Sequence, residues 1–325
     1  MPRYRAYGLT IDSAIELPEL ERAVDSSSAD LTIRVGPVPA EGLAGGHQIS
    51  PYRSTTPTAT WLHIPRVGKF LITGGHTITV DPDPGAKPDP APVVGAAGVT
   101  DAGADTTGAP APHPDTIRVF VLGMCMGVVL CQRGYLVLHG NAVQVGDACM
   151  CAVGASGTGK STVAAAFWRR GHTVLADDIV AVDHESRALP GLPRIKLWQD
   201  SANRLAIDTA PLDRIWPGEE KFNVPVAPAS APLPLRWVYI LDVHDGPDLR
   251  LQPITGLERF APLHENTYVV RLLHGMQIRE DHLKACSRLA GRIRLVKVSR
   301  PREGLPVDAL IDALAADMAK QPAGG

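Results

Sequence analysis

Gly154-Ala155-Ser156-Gly157-Thr158-Gly159-Lys160-Ser161, with Thr162 behind it, decides how this chain is read. The stretch fits G-x-x-x-x-G-K-[ST], the phosphate-binding P-loop, and each fixed position has a physical task. Glycines let backbone N–H groups converge on phosphate oxygens without Cβ clashes. Lys160 can set a compact positive charge against the β- and γ-phosphates, and the Ser161 hydroxyl can ligand Mg2+. A helix that begins here points its positive dipole end at the anion.

The flanks supply the context the motif needs. Ala148-Cys149-Met150-Cys151-Ala152-Val153 is a short apolar run, as in a buried strand. Residues 161–170 are Ala-rich, end in two cations and stop at Gly171, as a helix does. Asp177-Asp178 follows this helix, which is about eleven residues or roughly 16 Å long. A right-handed crossover to a parallel strand beside the first would bring the pair to the sheet edge that holds the phosphates. One carboxylate can then hold Mg2+, directly or through water, while the other accepts a proton from an attacking hydroxyl. The alternative is an aspartate pair that caps a turn. His139, in His139-Gly140-Asn141 just upstream, is a candidate to contact phosphate or to tune the proton-accepting aspartate, against the alternative of a structural role.

At 325 residues the chain can hold two domains. A net charge of −2 gives no bulk attraction to nucleic acid or anionic membrane. The five cysteines (Cys125, Cys131, Cys149, Cys151, Cys286) form no C-x-x-C pair and read as buried reduced thiols of a cytosolic protein. The first seven residues lack the apolar core of a signal peptide, and the longest apolar run, 119–131, is too short to span a bilayer. Cytoplasmic localisation is expected, with neither nucleic acid nor membrane as a partner.

Three regions are expected along the chain. Residues 1–80 read as a small β-rich accessory domain, with strands at 4–11, 30–35, 60–64, 69–73 and 76–80 and a hairpin turn at Gly74-Gly75. Residues 81–115 contain no Leu, Ile or aromatic side chain and read as a flexible Pro/Gly/Ala linker. Residues 116–325 read as an α/β domain. Its helices are expected at 116–133, 200–207, 264–273, 281–290 and 306–318. Strands are expected at 135–139, 142–145, 148–153, 172–176, 179–183, 236–243 and 294–298.

Three segments together resemble the C-terminal catalytic domain of HPr serine kinase/phosphorylase: Leu138-His139-Gly140-Asn141-Ala142-Val143, then Val153 through Thr162, then Gly171-His172-Thr173-Val174-Leu175-Ala176-Asp177-Asp178. The strong part of the resemblance covers roughly 135–183. It implies an α/β P-loop fold related to PEP carboxykinase and an ATP- and Mg2+-dependent kinase that binds nucleotide through Gly154 to Thr162. It also implies Asp177 as catalytic base, Asp178 with Ser161 at the metal or its waters, and His139 beside the transferred phosphate; the two aspartate roles are open to reversal. The family's glutamate-containing second signature has no counterpart here.

In its place stand Leu192-Pro193-Arg194-Ile195-Lys196-Leu197-Trp198-Gln199-Asp200-Ser201-Ala202 and Glu219-Glu220-Lys221-Phe222-Asn223-Val224-Pro225. These are similar to HPr-kinase-like proteins encoded with ribosomal peptide clusters. That group includes lasso-peptide tailoring kinases, which phosphorylate a serine at the precursor's C-terminus. The implied acceptor is a serine of a peptide or small protein other than HPr, and the hexamers of HPr kinases imply a homo-oligomer. Arg194, Lys196, Lys221 and Arg271 are candidates for neutralising phosphate or gripping a peptide carboxylate, against the alternative of plain surface cations. Two rival functions stay open. One is a small-metabolite kinase or PEP-carboxykinase-like enzyme; the other is a non-catalytic, nucleotide-gated interaction module.

Overall fold

In Gly68–Thr73, Gly68, Phe70 and Ile72 are buried while the residues between them are half-buried, the period of two that a strand shows with one face on a core. It is one of nine strands that the N-terminal part assembles into a single sheet. Its strands are β1 (Arg3–Ala6), β2 (Leu9–Ser13), β3 (Glu21–Arg22), β4 (Leu31–Val35), β5 (His47–Ser50), β6 (Arg53–Thr55), β7 (Ala59–Ile64), β8 (Gly68–Thr73) and β9 (Thr77–Pro82), in the order β3-β1-β2-β4-β9-β8-β7-β6-β5. The computed structural model describes residues 1–24, 28–83, 94–95, 98–99, 114–215 and 219–320.

The single strand expected at 4–11 is a hairpin instead. Tyr7 and Gly8 take φ of 54° and 72° and turn the chain between β1 and β2. Gly74 and Gly75, at 60° and 71°, close the β8–β9 hairpin as expected. Most of the proposed linker 81–115 lies outside the described residues; within it β10 (Val94–Gly95) and β11 (Gly98–Val99) pair antiparallel.

The chain divides into two units. Among the described residues the first comprises Met1–Val137, Glu219 and Tyr268–Lys284, the second Leu138–Ile215, Glu220–Thr267 and the chain from Ala285 onward. The helix expected at 116–133 thus falls with the N-terminal sheet and not with the Gly154–Lys160 segment. It is built as α1 (Pro114–Phe120), a π-turn at Val121–Cys125 and α2 (Met126–Gln132). The Tyr268 ring packs where a Cβ on Gly127 would sit, 2.6 Å from its Cδ1.

The second unit is a mixed α/β structure. Its strands are β12 (Leu136–Val145), β13 (Ala148–Gly154), β14 (Val174–Val182), β15 (Arg187–Ala188), β18 (Leu233–His244), β19 (Arg250–Ile254) and β20 (Arg294–Pro301). A separate two-stranded ribbon is formed by β16 (Arg194–Trp198) and β17 (Lys221–Pro225). The apolar run before the loop became β13, buried at every position.

β13 pairs antiparallel with β12 and parallel with β18, and β20 continues parallel beside β18. The expected neighbour relation of β13 and the aspartate strand is therefore corrected: β12 lies between β13 and β14. The 135–139 and 142–145 runs are one strand, through Gly140-Asn141, and the 172–176 and 179–183 runs are one strand, through Asp177-Asp178.

The sheet carries α3 (Lys160–Arg169) and α7 (Val307–Ala319) on an apolar core that includes Val163, Phe167, Tyr239, Leu241, Val298, Ile311 and Leu314. Asp317 fixes α7 to the sheet, accepting from Tyr239 Oη at 3.0 Å and from Arg294 at 2.6 and 2.9 Å. The remaining helices are α4 (Gln199–Arg204), α5 (Phe260–Glu265) and α6 (Arg279–Arg292). The helix expected at 264–273 is absent as such: α5 ends at Glu265 and only a 3-10 turn, Val270–Leu272, follows. All five cysteines are buried and free. No helix among the described residues is long and apolar enough to cross a membrane.

Candidate active site

β13 ends at Gly154 and α3 begins at Lys160, so the motif occupies a strand–loop–helix turn. Three glycines shape it. Gly154 has φ 140°, and a Cβ there would strike the Leu241 carbonyl of β18; Gly157 and Gly159 take φ of 83° and 101°. Thr158 Oγ1 donates to the Ala155 carbonyl at 2.8 Å and tightens the loop. Ala155, Ser156 and Gly157 form its exposed crest. The Lys160 ammonium folds over the loop, donating to the carbonyls of Gly154 (2.8 Å) and Ala155 (3.0 Å). Burial lowers its pKa, an effect opposed by Asp178 and Asp177. Asn141, on β12, donates to the Lys160 carbonyl and seats the start of α3. The Thr162 hydroxyl lies 2.8 Å from Ser201 Oγ on α4.

Ser161 Oγ donates to Asp177 Oδ1 at 3.1 Å, which joins the loop to β14 across β12. The other oxygen of Asp177 accepts the Lys196 backbone N–H at 2.7 Å. Burial raises the Asp177 pKa, although the Lys196 N–H counters it.

Asp178 is the one residue of β14 that is not fully buried, and it takes a left-handed φ of 75° in the middle of the strand. A non-glycine residue in that region costs about 1–3 kcal/mol and persists only where its surroundings impose it. Here they do. Lys196 Nζ donates to Asp178 Oδ2 at 2.7 Å, and His139 Nδ1 lies 3.1 Å from the Asp178 carbonyl and 3.6 Å from Oδ1. Burial would raise the Asp178 pKa, but Lys196 and then His139 outweigh it and hold the carboxyl well below its ordinary range. Adjacent aspartates are thus driven in opposite directions, a pattern typical of divided acid–base roles. A carbonyl can only accept, so His139 Nδ1 carries the proton. Burial takes the His139 pKa down to about 4, and the ring is neutral at pH 7.

The β16–β17 ribbon brings Lys196 here, and the register sets Trp198 opposite Lys221. Lys221 Nζ lies 5.4 Å from the Trp198 ring centroid, in cation–π contact. Arg194, on the same ribbon, is buried. Lys196 is engaged by Asp178 and is not a bare surface cation. Arg271 falls in the first unit, on its 3-10 turn, and is not among the residues gathered here.

Ser161 Oγ beside Asp177 Oδ1 is a pair of hard oxygens, the donor type Mg2+ takes alongside phosphate and water. Among the described residues no group of three or more His, Cys, Asp or Glu could hold a metal ion by itself. The residues thus suit a cation shared with a phosphate better than an all-protein cage. Arg300 was missed in the sequence: its Nε donates to the Thr158 carbonyl at 3.0 Å from β20.

No family model matches this chain, and no curated protein matches it. Among solved structures it is similar to the Hpr(Ser) kinase/phosphatase from Coxiella burnetii, at 14% identity over 57% of this chain and 90% of that one, with a TM-score of 0.29. A likeness at that level carries no functional argument.

Proposed function

We propose that this chain is a P-loop kinase that moves the γ-phosphate of ATP to a serine hydroxyl of a peptide or small protein. The observation that carries this reading is that Ser161, at the start of α3 beside Lys160, contacts Asp177 on β14, while Lys196 holds both Asp177 and Asp178. Lys160 and the loop amides bind the phosphates. Ser161 and Asp177 would hold Mg2+, which when bound neutralises charge on the phosphates. The contact between Ser161 and Asp177 favours this assignment over Asp178 as the metal-linked residue.

Asp178 is then the base. Its Oδ1 is the less engaged oxygen of the pair, since Oδ2 is taken by Lys196 and both oxygens of Asp177 are bonded. The serine oxygen bonds to the γ-phosphorus, the bond from that phosphorus to the β–γ bridging oxygen breaks, and ADP leaves. The hydroxyl proton passes to Asp178. A loose transition state transfers that proton late, so a carboxylate of low pKa suffices. Neutral His139 buttresses the Asp178 backbone and adds no positive charge at pH 7. A C-terminal serine of a lasso precursor is the acceptor that the resemblance of the 192–202 and 219–225 segments favours.

Incubation with ATP and Mg2+ against a panel tests this: a peptide ending in serine, a peptide with internal serine, and small hydroxyl metabolites, read by mass spectrometry. Phosphate gain on a serine peptide supports the reading. Gain only on a small metabolite, or nucleotide binding without transfer to any acceptor, rejects it.

A further inference from the structure

Arg300 stands two residues beyond Val298, which is level with Leu241 and, through it, with Gly154 where the loop begins. Its guanidinium donates from Nε to the Thr158 carbonyl at 3.0 Å and from Nη1 to the Pro301 carbonyl at 3.0 Å. Nη2 lies 3.3 Å from the place a Cβ on Gly159 would take, so only glycine leaves the guanidinium this close to the loop. Among the described residues no carboxylate pairs with Arg300. Burial lowers its pKa, and its charged neighbours Arg204 and Arg302 lower it further. Arg302 has its own partner, Asp245, at 3.1 Å, and Arg204 is exposed in the last turn of α4. A half-buried guanidinium without a counter-ion, repelled by two more arginines, is unfavourable until an anion reaches it.

Its position says which anion. The strands run β14-β12-β13-β18-β20 through their pairings. Asp177 and Asp178 therefore flank the loop on one side and Arg300 on the other. We infer that Arg300 binds the non-transferred phosphates of a nucleoside di- or triphosphate, so that the polyphosphate crosses the loop with its reacting end toward Asp178 and its nucleoside end toward Arg300. The inference rests on the loop's binding nucleotide and is independent of the acceptor.

ADP binding, measured by calorimetry on the full chain, tests it. Arg300→Gln keeps an N–H donor for the Thr158 carbonyl and removes the charge, and Arg300→Lys keeps the charge. The Gln variant should bind ADP about ten- to a hundredfold more weakly, the loss of one charge-assisted hydrogen bond, and the Lys variant should recover part of it. The ATP KM should rise in the Gln variant. Arg204→Ala, at an exposed position, should weaken ADP by about threefold and lessen the dependence of Kd on salt. It keeps the test open if the Arg300 variants do not fold.

Arg300→Gln binding ADP like the wild type overturns the inference, as does Arg300→Lys binding no better than Gln. If only Arg204→Ala folds, an unchanged Kd and salt slope overturn it. Arg300-dependent ADP binding with no phosphate transfer leaves this inference standing and removes the kinase. Failure of the wild type to bind ADP removes both.

Discussion

Lys196 donates its ammonium to Asp178 Oδ2 at 2.7 Å, and its own backbone N–H reaches Asp177 at the same distance. One residue of the β16 strand thus holds both aspartates, and its charge keeps Asp178 ionised far into acid. Lys196→Met removes the charge and spares the backbone bond. The variant should be less stable at pH 7 by on the order of 3 kcal/mol, since a largely buried carboxylate loses its partner. The Asp178 pKa should rise, moving the acid limb of kcat/KM to higher pH. The sign follows from the lowered pKa: the stabilisation is present above the unfolded value of about 3.9 and is lost as pH falls through the lower folded value. Urea denaturation at pH 7 and pH 3, with the pH–rate profile, checks both effects. A profile that overlays the wild type's would count against the pair.

Asp178 combines a chemical group with a left-handed backbone, at φ 75°. Asparagine tolerates that region and alanine does not. Asp178→Asn leaves the Lys196 ammonium without its carboxylate, so it should lose on the order of 3 kcal/mol at pH 7, and it should lose phosphate transfer by about a hundred- to ten-thousandfold. Asp178→Ala should lose the same activity and about 1–2 kcal/mol more stability than the Asn variant. Equal stabilities for the two variants would mean that the backbone is not strained there.

His139 is neutral until about pH 4. Its folded pKa is depressed, so the unfolded chain binds more protons between about 6.5 and 4, and stability falls as pH drops through that window. The loss approaches on the order of 3 kcal/mol at its acid end. His139→Gln should flatten this part of the curve of unfolding free energy against pH. Parallel wild-type and variant curves from pH 7 to 4.5 would refute a buried neutral imidazole.

Two loop glycines separate space from conformation. At Gly154 a Cβ would strike the Leu241 carbonyl as well as meet φ 140°; at Gly157 the space is open and only φ 83° is adverse. Gly157→Ala should cost about 1–2 kcal/mol. Gly154→Ala should cost more and abolish ATP binding, because β13 and β18 must part to admit it. Thermal melts with and without ATP distinguish the two.

The loop, its strand and its helix were legible because glycine, lysine and serine at fixed spacing leave few other conformations. The aspartate pair was legible as two adjacent carboxylates one helix beyond the loop. Which aspartate Ser161 contacts was not, because that contact depends on strand order, and spacing does not reveal that β12 intervenes between β13 and β14. Lys196 stood out as a cation, but its partner depends on a ribbon between β16 and β17 that local propensity did not suggest. Arg300 lies 142 residues beyond the Thr158 whose carbonyl it holds, and only the β18–β20 pairing carries it there. The 4–11 run read as one strand because its turn uses Tyr7-Gly8, where a tyrosine takes a positive φ against its usual preference.

Phosphate transfer from labelled ATP to a serine peptide, compared between wild type and Lys160→Ala, shows whether the loop lysine drives a serine kinase. The wild type should label the peptide on serine, while the variant stays folded by its melting curve and labels nothing above background. Transfer by Lys160→Ala at the wild-type rate, or no transfer by the wild type to any serine acceptor, would contradict it.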